Sequence, residues 1–579
     1  MNVLGISCFY HDSAAALVKD GHLTAAALEE RFTGIKHDAA FPINAIHFCL
    51  EKGQIDINGL DKVTFYDKPL IKFDRILNGY LQTVPFSYRA FRLAIPVWMR
   101  EKLWLPIIIK KQLDYRGQVL FVEHHLSHAA GAYFGSPFKQ AAILTIDGVG
   151  EWATASIGIG EGNRIRLLQA MNYPHSVGLL YSAFTYFLGF RVNSAEYKVM
   201  GLAPYGRPKY VDLIKENLVR ICDDGSIVLN LKHFRFHSGL EMTGRGFVKL
   251  FGRPRRLPEA ELTDSDRDIA ASIQQVTEEI IYKMASHTRT ITGRQNLCLS
   301  GGVALNCAAA GKLLSSGLFD DIYIQPASSD SGGAVGAALY ISHSLTDRPK
   351  TESQPYFGLG PAYFSDQVGT FLNKIRVPYR RLDENDRTRL VAGKLAEGKI
   401  VALFNGAMEF GPRALGFRSI LADPRDPAVK EKINKAVKFR EPFRPFAPVI
   451  IEEKAARYFE GAVKSPYMLF NFEVKKEMQS VIPGVTHIDG TARIQTADPL
   501  SNPILYRLLE EFEKITGVPV LLNTSLNLRG HPIVRTPEEA FATFISSGID
   551  ILLIEDYFLE KERLVLPDFS EFKIVSGHD

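Results

Sequence analysis

The chain has 579 residues, of which 46% are hydrophobic and 23% charged. That length exceeds the ~250–300 residues at which a single hydrophobic core divides, so the sequence predicts two or more globular domains and excludes a disordered or fibrous chain. Lys and Arg number 68 against 64 Asp and Glu, and the resulting net charge of +4 leaves no footprint for non-specific nucleic-acid binding.

At the N-terminus, residues 3–9 and 14–18 read as two strands around the polar turn His11-Asp12-Ser13, followed by a hairpin at Asp20-Gly21 into 23–28. The apolar start is cut by Asp12, Lys19 and Asp20, too early for a signal-peptide core. The segment 68–111 interleaves Lys72, Arg75, Arg89, Arg92, Arg100, Lys102, Lys110 and Lys111 with Phe73, Tyr80, Phe86, Tyr88, Phe91, Trp98 and Trp104. It reads as a helical insertion that packs its aromatic residues inward and solvates its basic face. A membrane-surface helix, an acceptor lid and a subunit interface are the alternatives, and a homodimer through this segment is left open. Its most apolar stretch, 93–109, carries Arg100, Glu101 and Lys102, so no transmembrane segment is expected.

The strand–acidic turn–strand pattern returns at 141–146, Asp147-Gly148 and 153–159, which predicts a duplicated fold. Thr263 caps a long helix with Ile269, Ile273, Val276, Ile280 and Met284 on one face. Residues 296–299 form a strand that enters Ser300-Gly301-Gly302, and 303–314 read as one helix containing Asn306. A strand at 322–325, a polar turn at 328–333 and a helix through Leu339 follow. The polar, proline-bearing stretch 347–360 reads as a linker. It separates an N-terminal domain, 1–346, from a C-terminal α/β domain, 361–579, with helices at 365–375 and 388–397 and a strand at 400–404. Five cysteines without a CxxC pair argue against a disulfide framework, and a cytoplasmic location is expected.

Three constellations carry chemistry. His124 and His128 lie four apart on a helix and share a face, and Asp147 and Asp330 each follow a strand. Two imidazoles with two carboxylates suit Fe(II), Mn(II) or Zn(II); His125 points elsewhere and reads as structural. Gly301 and Gly302 free the backbone amides of a strand-to-helix turn for a phosphate, with Asn306 in reach of a ribose or phosphate. In the C-terminal domain Arg413, Lys438, Arg444, Arg493, Asn523 and Ser525 offer cationic forks and neutral donors for an oxyanion.

Together these motifs resemble the NodU/CmcH-type O-carbamoyltransferases, in an ordered set running from His11-Asp12-Ser13 through Gly411-Pro412-Arg413 and Arg444-Pro445-Phe446-Ala447-Pro448 to Leu522-Asn523-Thr524-Ser525. The resemblance implies α/β architecture, with an N-terminal duplicated actin/Hsp70-like (ASKHA) domain and a C-terminal YrdC-like domain. It implies that carbamoyl phosphate and ATP, as Mg-ATP, give carbamoyladenylate in the C-terminal domain. The carbamoyl group then passes to a hydroxyl of a small-molecule acceptor in the N-terminal one. His124, His128, Asp147 and Asp330 match the metal ligands, with Fe(II) the usual ion, and His11 matches the general base. An imidazole near its ordinary pKa of about 6.5 is available as a base at neutral pH. Lys36, Ser176, Gly301, Gly302 and Asn306 match the nucleotide site, Lys36 also as a catalytic group. Arg413, Lys438, Arg444, Arg493, Asn523 and Ser525 match the carbamoyl-phosphate pocket. A tRNA threonylcarbamoyl-transferring enzyme, which a charge of +4 disfavours, and a non-catalytic nucleotide-binding regulator are the competing readings.

Overall fold

The computed structural model describes residues 1–346, 349–350, 358–575 and 577. The chain divides into two compact units. One comprises Met1–Glu29 and His37–Gln354; the other comprises Glu30–Lys36 and Pro355–Asp579. Most of the expected linker at 347–360 lies outside the described residues. The short Glu30–Lys36 segment, read from sequence as part of the first domain, belongs to the second unit.

Two five-stranded sheets build the first unit. Strands β1 (Asn2–Ser7), β2 (Ala14–Lys19), β3 (His22–Leu28), β4 (Lys62–Phe65) and β5 (Val119–Phe121) lie in the order β3-β2-β1-β4-β5. Strands β6 (Gln140–Ile146), β7 (Ala153–Glu161) and β8 (Arg164–Asn172) join β11 (Asn296–Ser300) and β12 (Asp321–Ile324) in the order β8-β7-β6-β11-β12. Val219–Ile221 and Ile227–Leu229, β9 and β10, form a separate hairpin. In both large sheets the first three strands pair antiparallel and the last two add in parallel. The expected duplication is therefore literal, strand for strand.

Helices repeat as well. After β5 comes the helix His124–Gly135, and after β12 the helix Asp330–Ser344. Small residues let these two approach closely: a Cβ on Gly336 would sit 1.8 Å from the Ser127 carbonyl oxygen, and one on Gly5 of β1 would sit 2.0 Å from that of Ala334. The long helix Asp264–Thr292 starts where expected, through a capping box in which the Thr263 hydroxyl accepts from Asp266 N–H and the Asp266 carboxylate accepts from Thr263 N–H. The single helix expected over 303–314 is two pieces, a 3₁₀ turn Gly302–Leu305 and a helix Cys307–Ser315. Asn306 stands between them as the cap rather than inside a helix.

Residues 69–113 are helical as expected: Pro69–Gln82, Tyr88–Arg100, a turn and Leu105–Leu113. Phe73 packs on buried Trp98 and Tyr80 on Phe91, but Phe86, Tyr88 and Trp104 face solvent. The basic face is likewise divided, since Lys72 and Arg75 point inward.

The second unit is built on an eight-stranded mixed sheet. Its order is Arg380–Arg381, Tyr557–Glu560, Ile551–Ile554, Val401–Phe404, Arg418–Ala422, Val520–Ser525, Ala447–Ile451, Gln495–Ala497. The helices Glu384–Ala396 and Pro503–Thr516 bury Val391, Leu395, Leu509 and Phe512 against Val401, Leu421 and Val449. The first of these helices begins at Glu384 rather than 388, because the Asp383 carboxylate accepts from Asp386 N–H as its cap.

Candidate active site

The doubled fold gathers the first constellation. His124 opens the helix after β5 and His128 follows one turn later, and Asp330 opens the equivalent helix after β12. Asp147 directly follows β6, the counterpart of β1, which runs toward His11 and Asp12. Asp330 is thus presented by a helix start, not by a strand end as its sequence context suggested. His124 Nε2 lies 3.0 Å from Asp147 Oδ2, 3.1 Å from His128 Nε2 and 3.6 Å from Asp330 Oδ1. His128 Nε2 lies 3.7 Å from Asp330 Oδ1 and 4.0 Å from Asp147 Oδ2.

All four side chains are buried, and their ligand atoms lie within 4.8 Å of one another. Ligands about 2.1 Å from one ion in a tetrahedral or octahedral shell stand roughly 3.0–3.4 Å apart, so the cluster needs only small adjustments to close on a divalent cation. The donor set of two imidazoles and two carboxylates fits such an ion. Burial alone would push both carboxylates up. The His124 hydrogen bond, with the charges of His128 and His124, instead holds Asp147 well below the ordinary range. The charge of His124 and a hydrogen bond from His128 bring Asp330 down to about 2. These contacts favour the ionised form of both carboxylates.

An outer set of contacts with no sequence signal of its own orients these four side chains. The Tyr66 hydroxyl donates to Asp330 Oδ2 at 3.3 Å, and the Glu151 carboxylate accepts from His124 N–H at 3.1 Å. His125, read as structural, is that: its Nδ1 lies 3.0 Å from Ser156 Oγ, and burial pushes it down to about 3.

His11 sits beside the cluster, its Nε2 4.0 Å from Asp330 Oδ2. Its Nδ1 is 3.0 Å from one Asp12 oxygen, while His37 Nδ1 is 2.7 Å from the other. With Nδ1–H given to Asp12, the lone pair of Nε2 faces the cluster. The ordinary pKa expected from sequence is corrected: burial lowers it, but the Asp12 hydrogen bond and the charges of Asp330, Asp12 and Asp147 outweigh burial and push His11 up to about 9. A cation among those carboxylates would oppose that rise.

The residues expected around a nucleotide hold the Asp147 loop. Gly302 N–H donates to Asp147 Oδ1 at 2.9 Å, and the Ser176 hydroxyl donates to the Gly148 carbonyl at 2.6 Å while accepting from Leu179 N–H as a helix cap. Gly301 has φ +87°, and a Cβ there would meet the Ile146 carbonyl at 2.3 Å, so only glycine fits. Asn306 caps its helix and exchanges two hydrogen bonds with the Gln274 amide. Lys36 lies in the Glu30–Lys36 segment of the second unit, not in the unit that carries these four.

In the second unit Lys438 is buried and donates to Ser525 Oγ and O and to Asn527 O and Oδ1. Its ammonium braces the end of the strand that carries Asn523 and Ser525. The Asn523 amide donates to Gln495 Oε1 at 2.8 Å and to the Ala414 carbonyl at 3.4 Å, tying that strand to the Arg413 turn. Asn434 donates to the Arg444 carbonyl, and Arg444 lies 3.6 Å from Glu441. The buried Nε of Arg493 and Oδ1 of Asn523 have no hydrogen-bond partner.

A family model described as carbamoyltransferase N-terminus matches residues 2–339, and one described as carbamoyltransferase C-terminus matches residues 392–561. An uncharacterized protein of Synechocystis is 47% identical over 97% of this chain and 97% of its own length. Nodulation protein NolNO of Sinorhizobium fredii is 36% identical over 98% of this chain and 81% of its own. Among solved structures, full-length HypF in its phosphate- and nucleotide-bound form matches 61% of this chain and 56% of its own, at 15% identity and a TM-score of 0.32, too distant to argue from.

Proposed function

The chain belongs to the carbamoyltransferase family, and from that premise we propose that it is an ATP- and metal-dependent O-carbamoyltransferase acting on a small-molecule hydroxyl. In the second unit, proposed to be YrdC-like, carbamoyl phosphate is hydrolysed to carbamate and phosphate. The carbamate oxygen then attacks the α-phosphorus of ATP and displaces pyrophosphate, giving carbamoyladenylate. Arg413, Arg444 and Arg493 bind the leaving phosphate, with Asn523 and Ser525 as neutral donors; Lys438 sets the direction of Ser525.

The first unit, whose doubled 3-2-1-4-5 strand order supports an actin/Hsp70-type fold, carries out the transfer. The acceptor hydroxyl attacks the carbamoyl carbon, its proton passes to His11 Nε2, and AMP leaves with both bonding electrons. Asp12 fixes the tautomer and direction of His11. Gly302 and Ser176 hold the Asp147 loop against which the adenylate lies. A divalent cation on His124, His128, Asp147 and Asp330, with Fe(II) the proposed ion, supplies a Lewis acid for the carbonyl or phosphate oxygens.

The observation that carries this reading is the buried two-histidine, two-carboxylate cluster with His11 Nε2 at its edge. Its test needs no acceptor. Protein incubated anaerobically with Fe(II), Mg-ATP and carbamoyl phosphate is expected to yield carbamoyladenylate by mass spectrometry, with phosphate and pyrophosphate. Arg444→Ala abolishes that formation. His11→Asn leaves it intact and blocks transfer. Loss of the same step in both variants overturns the division of roles.

A further inference from the structure

A small cavity of about 150 Å³ in the first unit has Arg75, Tyr80, Val149, Tyr173, Phe236 and His237 among its walls. Val149 lies two residues past Asp147, so the cavity borders the loop that carries a cluster carboxylate. Arg75, on the helix Pro69–Gln82, is only 7% exposed. No carboxylate among the described residues lies within ion-pair distance of it, and its Nε has no hydrogen-bond partner. The Tyr173 ring lies against it, its centre 5.1 Å from the guanidinium carbon.

The nearby acids are committed elsewhere. Asp67 pairs with Lys72 at 2.7 Å, and Glu151 accepts from the amides of His124 and Lys68. His237, on the opposite part of the wall sequence, has a buried Nδ1 that is also without a partner. A buried guanidinium with no counter-charge is costly, and the reaction proposed above gives it no task. Three aromatic rings complete a wall suited to the flat face of a sugar or an aromatic ring.

We propose that this cavity is the acceptor subsite and that the hydroxyl acceptor carries an anionic group, a carboxylate or a phosphate, which pairs with Arg75. The inference deepens the transfer reaction and rests on it. Arg75 acts by binding and takes no part in forming carbamoyladenylate.

The test uses the intact protein with Fe(II), Mg-ATP, isotopically labelled carbamoyl phosphate and a small-molecule extract of the source cells divided on an anion exchanger. Labelled carbamate ester is expected from the retained fraction alone, and phosphatase treatment of that fraction distinguishes a phosphate from a carboxylate. Arg75→Gln lowers kcat/KM on that acceptor roughly ten- to hundredfold, mainly through KM; Arg75→Lys recovers part of the loss, and carbamoyladenylate formation stays at the wild-type rate. A Cβ on Gly79, another wall residue, would sit 3.8 Å from the Tyr173 ring, an ordinary contact. Gly79→Leu therefore fills the cavity without removing Arg75, and is expected to raise KM in the same way. Product from the unretained fraction, no product from either fraction while adenylate forms, or wild-type KM in both variants overturns the proposal. Absence of adenylate overturns instead the reaction on which it rests.

Discussion

Asp12 holds two histidines at once, and it does so from a left-handed backbone conformation, φ +51°. Replacing it with Asn removes the charge and one acceptor while leaving the shape. Transfer by Asp12→Asn is expected to fall tenfold or more, roughly, in kcat, with KM and the adenylate-forming half-reaction unchanged; equal loss in both half-reactions would assign Asp12 a structural role instead. A second residue, His487, gives the molecule an acid edge. Burial, with Arg493 and Lys430 nearby, pushes its pKa down to about 4, against about 6.5 unfolded. The unfolded chain therefore binds the proton more tightly, so the full contribution is present above about pH 6.5 and is lost as pH falls toward 4. Thermal melts across that window should show His487→Gln losing less midpoint than the wild type. Sequence spacing was enough to pair His124 with His128. It could not reveal Asp12 as an orienting group, because that role needs His37 folded back onto the same carboxylate. Nor could it reveal Arg75, since charge on a patterned helix reads as solvated.

Between helices the decisive residues are those with no side chain. Gly336 lets the helix Asp330–Ser344 touch the helix His124–Gly135, and the geometry of the four-residue cluster depends on that separation because three of its members stand near the starts of those two helices. Gly336→Ala puts a methyl group into the Ser127 carbonyl. We expect a loss of about 1–3 kcal/mol by urea denaturation together with weaker uptake of Fe(II) by equilibrium dialysis. Unchanged uptake in a folded variant would show that the helices can separate without disturbing the ligands. Seven of the ten strands in the two large sheets were read from sequence to within two residues, since buried runs between polar turns leave little choice; β4, β5 and β8 were not read. The helix over 303–314 was misread because apolar periodicity continues through Asn306, and only the cap geometry shows that the chain restarts there.

At the scale of the whole chain, residues 30–36 belong to the second compact unit although the chain on both sides of them belongs to the first, which the sequence reading did not foresee. Arg31 donates to the Gly411 carbonyl at 3.2 Å; Arg535 donates to the Arg31 carbonyl at 3.0 Å and lies over the Phe32 ring. Nothing local in residues 30–36 announces this, because their partners lie hundreds of positions away. A fragment starting at Gly358 loses these contacts, and should unfold at a lower urea concentration than the second unit of the intact chain; equal midpoints would show the segment to be dispensable. The duplication, by contrast, was legible because both halves begin with the same strand–acidic turn–strand pattern; the strand order itself was not.

That repeat also sets a schedule. His124 and Asp330, 3.6 Å apart in the folded protein, are separated by some two hundred residues of chain, which a ribosome adds in roughly ten to forty seconds. For nearly all of that interval the nascent chain carries the histidine pair and Asp147 without Asp330, and by the ordinary affinity order such a partial donor set would favour copper over iron. If the four residues hold the proposed ion, selection between metals would begin only when the helix Asp330–Ser344 has docked. An ion taken up earlier would by then have to leave.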